Sequence, residues 1–211
     1  AVKNYLYNIM ASGFEEEISK KPSTTLETFD LRVKKIPTSG ALFDWKKLEW
    51  WAKEFIATMR VPDLVERVKL WANKYDDQWF ERIATADDYL DRMLAIERDN
   101  PKRIRKDFIT WKQTLDETAY FWDDLYIPNT EFEYNKNALD AFVAGFEVTD
   151  DKDVWWNKIV EIANNLGLKN GDVAMNLRVA LTGRSNTPDL YSVMQVMGRD
   201  RVVNRIKQLL N

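Results

Sequence analysis

The chain contains no cysteine and no histidine among its 211 residues. Without cysteine there are no disulfides, thiolate nucleophiles or thiol redox chemistry, and without histidine the commonest general base is missing. The two absences together remove the usual ligands of a zinc site. Catalysis would therefore depend on carboxylates, lysine, tyrosine or hydroxyl groups.

The acidic residues are not spaced as a catalytic pair. Three pairs, Asp87–Asp88, Asp123–Asp124 and Asp150–Asp151, are direct neighbours in the sequence. Neighbours on a helix are separated by about 100° around its axis, so their carboxylates point apart. We interpret them as caps and solvated charges, and we predict no catalytic residue and no metal site in this chain.

Long apolar runs are also missing. None approaches the roughly 20 residues that are needed to span a bilayer. The first residues do not resemble a signal peptide, since a charge appears at Lys3 and acidic residues follow at 15–17. The sequence therefore predicts a cytoplasmic protein without membrane contact.

Charge is distributed unevenly although the formal net charge is only −3. Residues 113–161 carry twelve acidic residues against three lysines, a net charge of −9, whereas 165–211 carry seven basic residues against three aspartates, a net charge of +4. A second basic cluster comprises Lys102, Arg103, Arg105 and Lys106. Such asymmetry can direct part of an acidic protein towards a polyanion, and it is equally compatible with ordinary surface charge.

The apolar pattern predicts an all-α fold. Apolar residues recur at a spacing of 3.6, as at Trp45, Leu48 and Ile56, where Asp44 is the expected cap. We expect a short helix over 25–30 and a helix that Thr114 caps and that reaches Trp122. For the last part of the chain we predict helices at about 135–146, 151–166, 170–182, 188–197 and 200–210.

A helix end followed by a turn at 177–190 is the candidate site. Gly183 suits a helix C-terminus, and Thr187 before Pro188 is typical of a helix cap with proline at the first helical position. Arg178 and the hydroxyl of Thr187 offer hydrogen bonds, and Pro188 and Leu190 offer apolar surface. An unstacked nucleotide base needs both, but a plain helix hairpin with solvated arginines fits the same pattern.

The run LRVALTGR-SNTPDLYSVMQVMGRDRVVNRIKQLL resembles the C-terminal end of bacterial-type glutamyl-tRNA synthetases. The segment FDWKKLEW within 42–50 is similar to that family's F-D-W-x-K-L-x-W segment, and Asn4-Tyr5-Leu6 is a weaker match. The similarity is strong at 42–50 and 177–210 and faint between them. The family's H-I-G-H motif requires histidine, so the resemblance implies a fragment without the catalytic domain, inactive alone.

The resemblance implies an all-α architecture of two consecutive helical bundles preceded by a short helical segment. Residues 1–58 would be the stem-contact segment, and 59–128 and 129–211 the two anticodon-binding subdomains. The parent would be a glutamate–tRNA ligase that uses ATP and Mg²⁺, whereas this part would need no cofactor. The implied partner is tRNA, and the implied state is a monomer.

The family's anticodon contacts correspond here to Arg178 in L-R-x-A-L-T-G and to Thr187, Pro188 and Leu190 in T-P-x-L. One position departs from the family, because Asp107 stands where members often carry arginine to read the third anticodon base. A shift of the alignment would bring in Lys106 or Arg105 instead. Whether the parent charges glutamate tRNA alone or also glutamine tRNA stays open.

Two other classes of function are alternatives to tRNA binding. The acidic middle segment and the nine tryptophans are compatible with a helical protein–protein interaction module that binds no nucleic acid. A stand-alone enzyme fits less well, since histidine and cysteine are absent and the acidic residues are not paired.

Overall fold

The computed structural model describes residues 1–11, 13–21, 23–30, 42–99, 104–147 and 151–210. Within these ranges the chain is helical and contains no strand, which confirms the all-α prediction. The helices are α1 Val2–Met10, α2 Gly13–Lys20, α3 Trp45–Ala57, α4 Val61–Tyr75, α5 Asp77–Ala84, α6 Tyr89–Ala95, α7 Trp111–Asp116, α8 Lys136–Ala144, α9 Lys152–Leu166, α10 Asn170–Thr182, α11 Leu190–Met197 and α12 Arg199–Leu210. A 3₁₀ turn, Ala119–Phe121, follows α7.

The first three helices pack around a small aromatic core. Tyr5 of α1, Phe14 of α2 and Trp51 of α3 are almost fully buried there. The Tyr5 hydroxyl accepts a hydrogen bond of 2.6 Å from the backbone N–H of Asp44. Asp44 in turn accepts from the N–H of Lys47 at 3.2 Å, so it caps α3 as predicted.

Helices α4 to α7 form the second core, and α8 to α12 form the third. The second core centres on Leu64, Leu90 and Phe108, and it also takes in Ile56 from α3. The third core is the largest, and it includes four residues from before residue 128: Met93, Ile96, Tyr120 and Phe121. The last two units therefore share apolar contacts, and the boundaries at 58/59 and 128/129 stay predictions.

The predicted helix over 25–30 is absent, and the predicted cap of the helix near Thr114 is wrong. Residues 25–30 form turns, because the Thr28 hydroxyl accepts a hydrogen bond of 2.8 Å from the N–H of Thr25 and so competes with helical pairing. Thr110, and not Thr114, caps α7 by accepting from the N–H of Gln113 at 3.1 Å. Helix α2 was not predicted, and Lys102, Arg103 and Asp150 lie outside the described residues.

The linker between the second and third units lies against the end of α10. The Tyr126 hydroxyl donates to the carbonyl of Ala180 at 2.7 Å. Gly183 has a φ of +71°, and a Cβ there would lie 2.1 Å from the carbonyl oxygen of Ile127. Only glycine fits this position, because both the left-handed backbone and the close contact exclude a side chain.

Arg205 of α12 joins these elements from inside the protein. Its side chain is 3% exposed. It donates to the carbonyls of Tyr120 and Leu181 at 2.6 and 2.7 Å and to the Asp123 carboxylate at 2.7 Å. One guanidinium therefore fixes the 3₁₀ turn, the end of α10 and α12 relative to one another.

We predict that Gly183→Ala lowers the free energy of unfolding by about 2–5 kcal/mol, since left-handed strain is joined by an overpacked contact. Gly167→Ala is the matched control, because Gly167 has a φ of +66° but no neighbour within 4 Å of the added Cβ. It should cost only the strain of about 1–2 kcal/mol. Equal losses in urea titrations would contradict the close approach at Ile127.

Replacing Arg205 should reveal how much the buried guanidinium contributes. Arg205→Met leaves two backbone carbonyls without their donor, and we expect a loss of about 2–5 kcal/mol in urea unfolding. Asp123→Asn should cost below about 1 kcal/mol, because the Asp123 carboxylate is 62% exposed. If Asp123→Asn were as damaging as Arg205→Met, the ion pair and not the carbonyl contacts would be the main stabilising interaction.

Candidate nucleic-acid interface

The turn between α10 and α11 is capped differently from the prediction. Helix α11 begins at Leu190, and Asp189 is its cap, accepting from the N–H of Ser192 at 3.0 Å. The prediction that Thr187 is the cap and Pro188 the first helical residue is therefore wrong. The Thr187 hydroxyl is engaged elsewhere, since it donates to the carbonyl of Pro188 at 3.2 Å and accepts from Arg178.

Lys152 supports the Asp189 cap from α9. Its Nζ lies 2.7 Å from the Asp189 carboxylate. Burial raises the pKa of this carboxyl, but the hydrogen bonds from Lys152 and Ser192 outweigh burial and hold the pKa below its ordinary value. The cap therefore stays ionised at neutral pH, which suits a carboxylate at the positive end of a helix dipole.

Arg178 holds the turn in place. Its Nη1 donates to the carbonyls of Thr187 and Pro188, both at 2.9 Å, and to the Thr187 hydroxyl. The structure thus brings together Arg178 and Thr187, two of the predicted site residues. It also gives Arg178 a structural role that sequence reasoning did not anticipate.

Pro188 and Leu190 do not form the exposed apolar surface that we expected. Both side chains are buried, and Leu190 is 4% exposed within the third core. Leu190 lies on the first turn of α11, where an apolar residue must face the core that the helix covers. These two residues therefore support the turn from beneath.

Residues 97–99 and 104–108 of the preceding unit border the turn. Glu97 has a φ of +59°, an uncommon conformation for a residue with a side chain. Its carboxylate accepts from the N–H of Asp189 at 3.2 Å, and its carbonyl accepts from the N–H of Arg105 at 3.1 Å. Glu97 thus connects the turn to the segment that carries Asp107.

Asp107 is the counter-ion of a buried arginine. The Arg105 side chain is 4% exposed, and its Nε donates to Asp107 at 2.6 Å, whereas Asp107 is 56% exposed. Lys106, the other residue considered at this position, is paired with Glu54 at 2.7 Å. Asp107 therefore neutralises Arg105 on one side and presents its carboxylate to solvent on the other.

Arg184 and Tyr120 complete this side of the turn. Arg184 pairs with Glu117 at 2.5 Å and donates to the carbonyl of Asp116 at 3.0 Å. Its guanidinium lies 5.7 Å from the centre of the Tyr120 ring. Burial raises the pKa of Tyr120 to about 12, so its hydroxyl stays protonated at neutral pH.

Sequence reasoning missed both Glu97 and Tyr120 as parts of the site. Glu97 lies 92 positions from its partner Asp189 in the sequence, so local patterns contain no sign of the contact. Tyr120 fell within a predicted helix, where an aromatic residue indicates ordinary packing.

The described residues contain no cluster of acidic side chains that could hold a metal ion, and no described helix is long and apolar enough to cross a membrane.

The chain matches a known family of helical domains. The model of the anticodon binding domain family matches residues 63–210. The chain belongs to this family, and its all-helical fold and the turn near its end agree with that assignment.

Relatives that match along the whole chain include glutamate–tRNA ligases from two bacteria. The chain is 32% identical to the glutamate–tRNA ligase of Clostridium perfringens strain SM101, with 100% of this chain and 43% of the relative covered. It is also 32% identical to the glutamate–tRNA ligase of Acetivibrio thermocellus, with 100% and 42% covered. The chain thus spans less than half the length of these relatives.

A solved structure shows the same fold. The glutamate–tRNA synthetase of Elizabethkingia anophelis superposes with a TM-score of 0.66 at 16% identity, over 86% of this chain and 34% of that one. At this identity the likeness concerns the fold alone. None of the comparisons supports the protein–protein interaction module considered from the sequence.

The capping geometry leads to a direct prediction. Asp189→Ala should lower the free energy of unfolding by about 1 kcal/mol, because α11 loses its cap, whereas Asp189→Asn should cost only a few tenths (~0.3 kcal/mol), since asparagine caps about as well. Thermal unfolding of the two variants measures the difference. A neutral Asp189→Ala variant would contradict Asp189 as the cap.

Proposed function

We propose that the chain binds the anticodon loop of a tRNA through the turn 183–189 and the segment that carries Asp107. One observation supports the proposal: the turn that resembles the family's T-P-x-L segment is held by Arg178 and lies beside Glu97, whose carbonyl accepts from Arg105, the partner of Asp107. Such a junction of two helical units offers several hydrogen-bonding groups at once. Single-stranded loops are read by contacts of this kind with splayed bases.

Arg178 and Thr187 are the groups that would meet a base edge. The three described bonds of Arg178 all use Nη1, and a guanidinium carries five N–H donors, so a further bond to a base is compatible with its structural role. Pro188 and Leu190 would contribute indirectly, by keeping the turn in its shape. A turn that is already ordered needs less entropy loss on binding.

Asp107 would act at the third anticodon base. Its exposed carboxylate can accept a hydrogen bond from the amino group of cytosine, as carboxylates do in duplex recognition. Glutamate and glutamine anticodons differ at this base, C against G, and guanine also has donors at its pairing edge. We propose that this position discriminates the two tRNAs less sharply than an arginine would.

For the whole protein we propose a glutamate–tRNA ligase of which this chain is the C-terminal part. The relatives' names and the full coverage of this chain support the proposal. The parent would use ATP and Mg²⁺ in a separate catalytic domain and act in the cytoplasm. We expect this chain to bind tRNA as a monomer, and to show no aminoacylation on its own.

Binding of a glutamate tRNA transcript to Arg178→Ala tests the proposal. We expect an affinity loss of about 1–3 kcal/mol, which corresponds to roughly 5- to 150-fold. Arg199→Ala is the matched control, because it removes the same charge from the same basic segment, at an exposed residue paired only loosely with Glu147 at 3.3 Å. It should weaken binding by a small factor, about twofold.

A salt titration and the Arg199 control separate specific contacts from the effect of total charge. Wild-type affinity should fall as salt rises, since phosphate contacts release counterions. Equal losses for the Arg178 and Arg199 variants would indicate that only total charge matters. A wild-type chain with no salt-dependent affinity for tRNA would refute the proposed function.

A further inference from the structure

A cleft lies beside the turn and has no role in the proposed function. It has a volume of about 430 Å³ and opens between the 125–131 linker and the end of α10. Its volume falls within the range of about 300–1,000 Å³ that is typical of small-molecule sites. Its lining includes Tyr120, Ile127, Pro128, Thr130, Thr182 and Arg184.

The Tyr120 hydroxyl is the unusual feature of this cleft. Tyr120 is 3% exposed, and its hydroxyl is buried without a hydrogen-bond partner in the part of the chain that the structure describes. Thr182, also buried at the cleft, donates to the carbonyl of Arg178 at 2.7 Å. Because buried polar groups are normally paired, an unpaired hydroxyl at a cleft is a group to which a ligand can bond.

Arg184 lies near the Tyr120 ring and is held by a partly exposed ion pair. Its guanidinium lies 5.7 Å from the ring centre, and its side chain is 38% exposed. The carboxylate that holds it, Glu117, is 37% exposed as well. Partly exposed ion pairs of this kind contribute little stability, so displacement of the Arg184 head by an incoming ligand would cost little.

The linker forms a firm, partly apolar wall. Ile127 is 80% exposed, and Pro128 and Thr130 are exposed beside it. The side chain of Asn129 accepts from the N–H groups of Glu131 and Phe132 at 3.0 and 3.1 Å, which fixes the turn behind these residues. An exposed apolar face next to polar groups suits a flat aromatic ligand better than a phosphate or a sugar.

We propose that this cleft receives a further unpaired base of the bound RNA loop, in addition to those that meet Arg178 and Asp107, and that this base rests on Ile127 and Pro128 and bonds through its edge to the Tyr120 hydroxyl. The inference depends on the proposed function. Gly183 and Arg184 belong both to the turn and to this cleft, so the base belongs to a nucleotide close to the one that meets Arg178. A neutral hydroxyl donates and accepts, and therefore fits either kind of base edge.

The test uses a hairpin RNA with the anticodon arm of a glutamate tRNA and the 211-residue chain. Tyr120→Phe removes only the hydroxyl. We expect it to bind the hairpin about three- to tenfold more weakly, the loss typical of one neutral hydrogen bond, while its melting temperature stays equal to wild type or rises. Ile127→Ala should weaken binding to a similar extent. Leu70→Ala, which changes a 60% exposed residue on α4, is the matched control and should bind like wild type.

Hairpins with one abasic nucleotide at each loop position identify the base. One of them should bind wild type more weakly than the intact hairpin, and this difference should shrink for Tyr120→Phe, as a coupled pair requires. Unchanged binding by Tyr120→Phe, or abasic losses that are the same in both proteins, would overturn this inference and leave the proposed function standing. A Tyr120→Phe variant that melts well below wild type would also overturn it, since the hydroxyl would then have an internal partner. Absence of wild-type binding to the intact hairpin would refute the proposed function and this inference together.

Discussion

The buried guanidinium of Arg205 is the interaction on which the geometry of the site depends. It donates to the carbonyl of Tyr120 in the 3₁₀ turn, to the carbonyl of Leu181 in α10 and to the Asp123 carboxylate. A guanidinium that is 3% exposed must keep its partners, because a buried charge without them is costly. Tyr120 and the end of α10 are therefore held at a fixed distance, and both the cleft and the turn after α10 derive their shape from this constraint.

The turn itself is held from three directions. Gly183 lets α10 end against the carbonyl of Ile127, Arg178 binds the backbone of Thr187 and Pro188, and Glu97 accepts from the N–H of Asp189. None of these contacts uses an ordinary helix–helix packing surface. They keep seven residues without regular structure in one conformation, so for the proposed function the cost of ordering this turn would be met during folding and not at binding.

The sequence was sufficient where the determinants are local. The helices of the last unit, the Asp44 cap and the glycine at the end of α10 follow from periodicity and capping rules. The sequence was not sufficient to choose the cap of α11, because Thr187 and Asp189 are both good caps. The choice depends on Arg178, which bonds to the threonine hydroxyl, and on Lys152, which pairs with the aspartate. Arg205 gave no local sign of its role, since its partner Tyr120 is 85 positions away.

Three arginines near the turn are already neutralised by carboxylates, whereas the described bonds of Arg178 go to two carbonyls and a hydroxyl. Arg105 pairs with Asp107, Arg184 with Glu117 and Arg205 with Asp123. A phosphate that approached them would compete with carboxylates at 2.5 to 2.7 Å. For the proposed function, long-range attraction would therefore contribute little at this junction, and discrimination would come from the fixed directions of donors and acceptors. An overall charge of −3 is compatible with binding RNA, because base contacts depend on the geometry of donors and acceptors, whereas phosphate contacts made elsewhere would supply the salt-dependent part of the affinity.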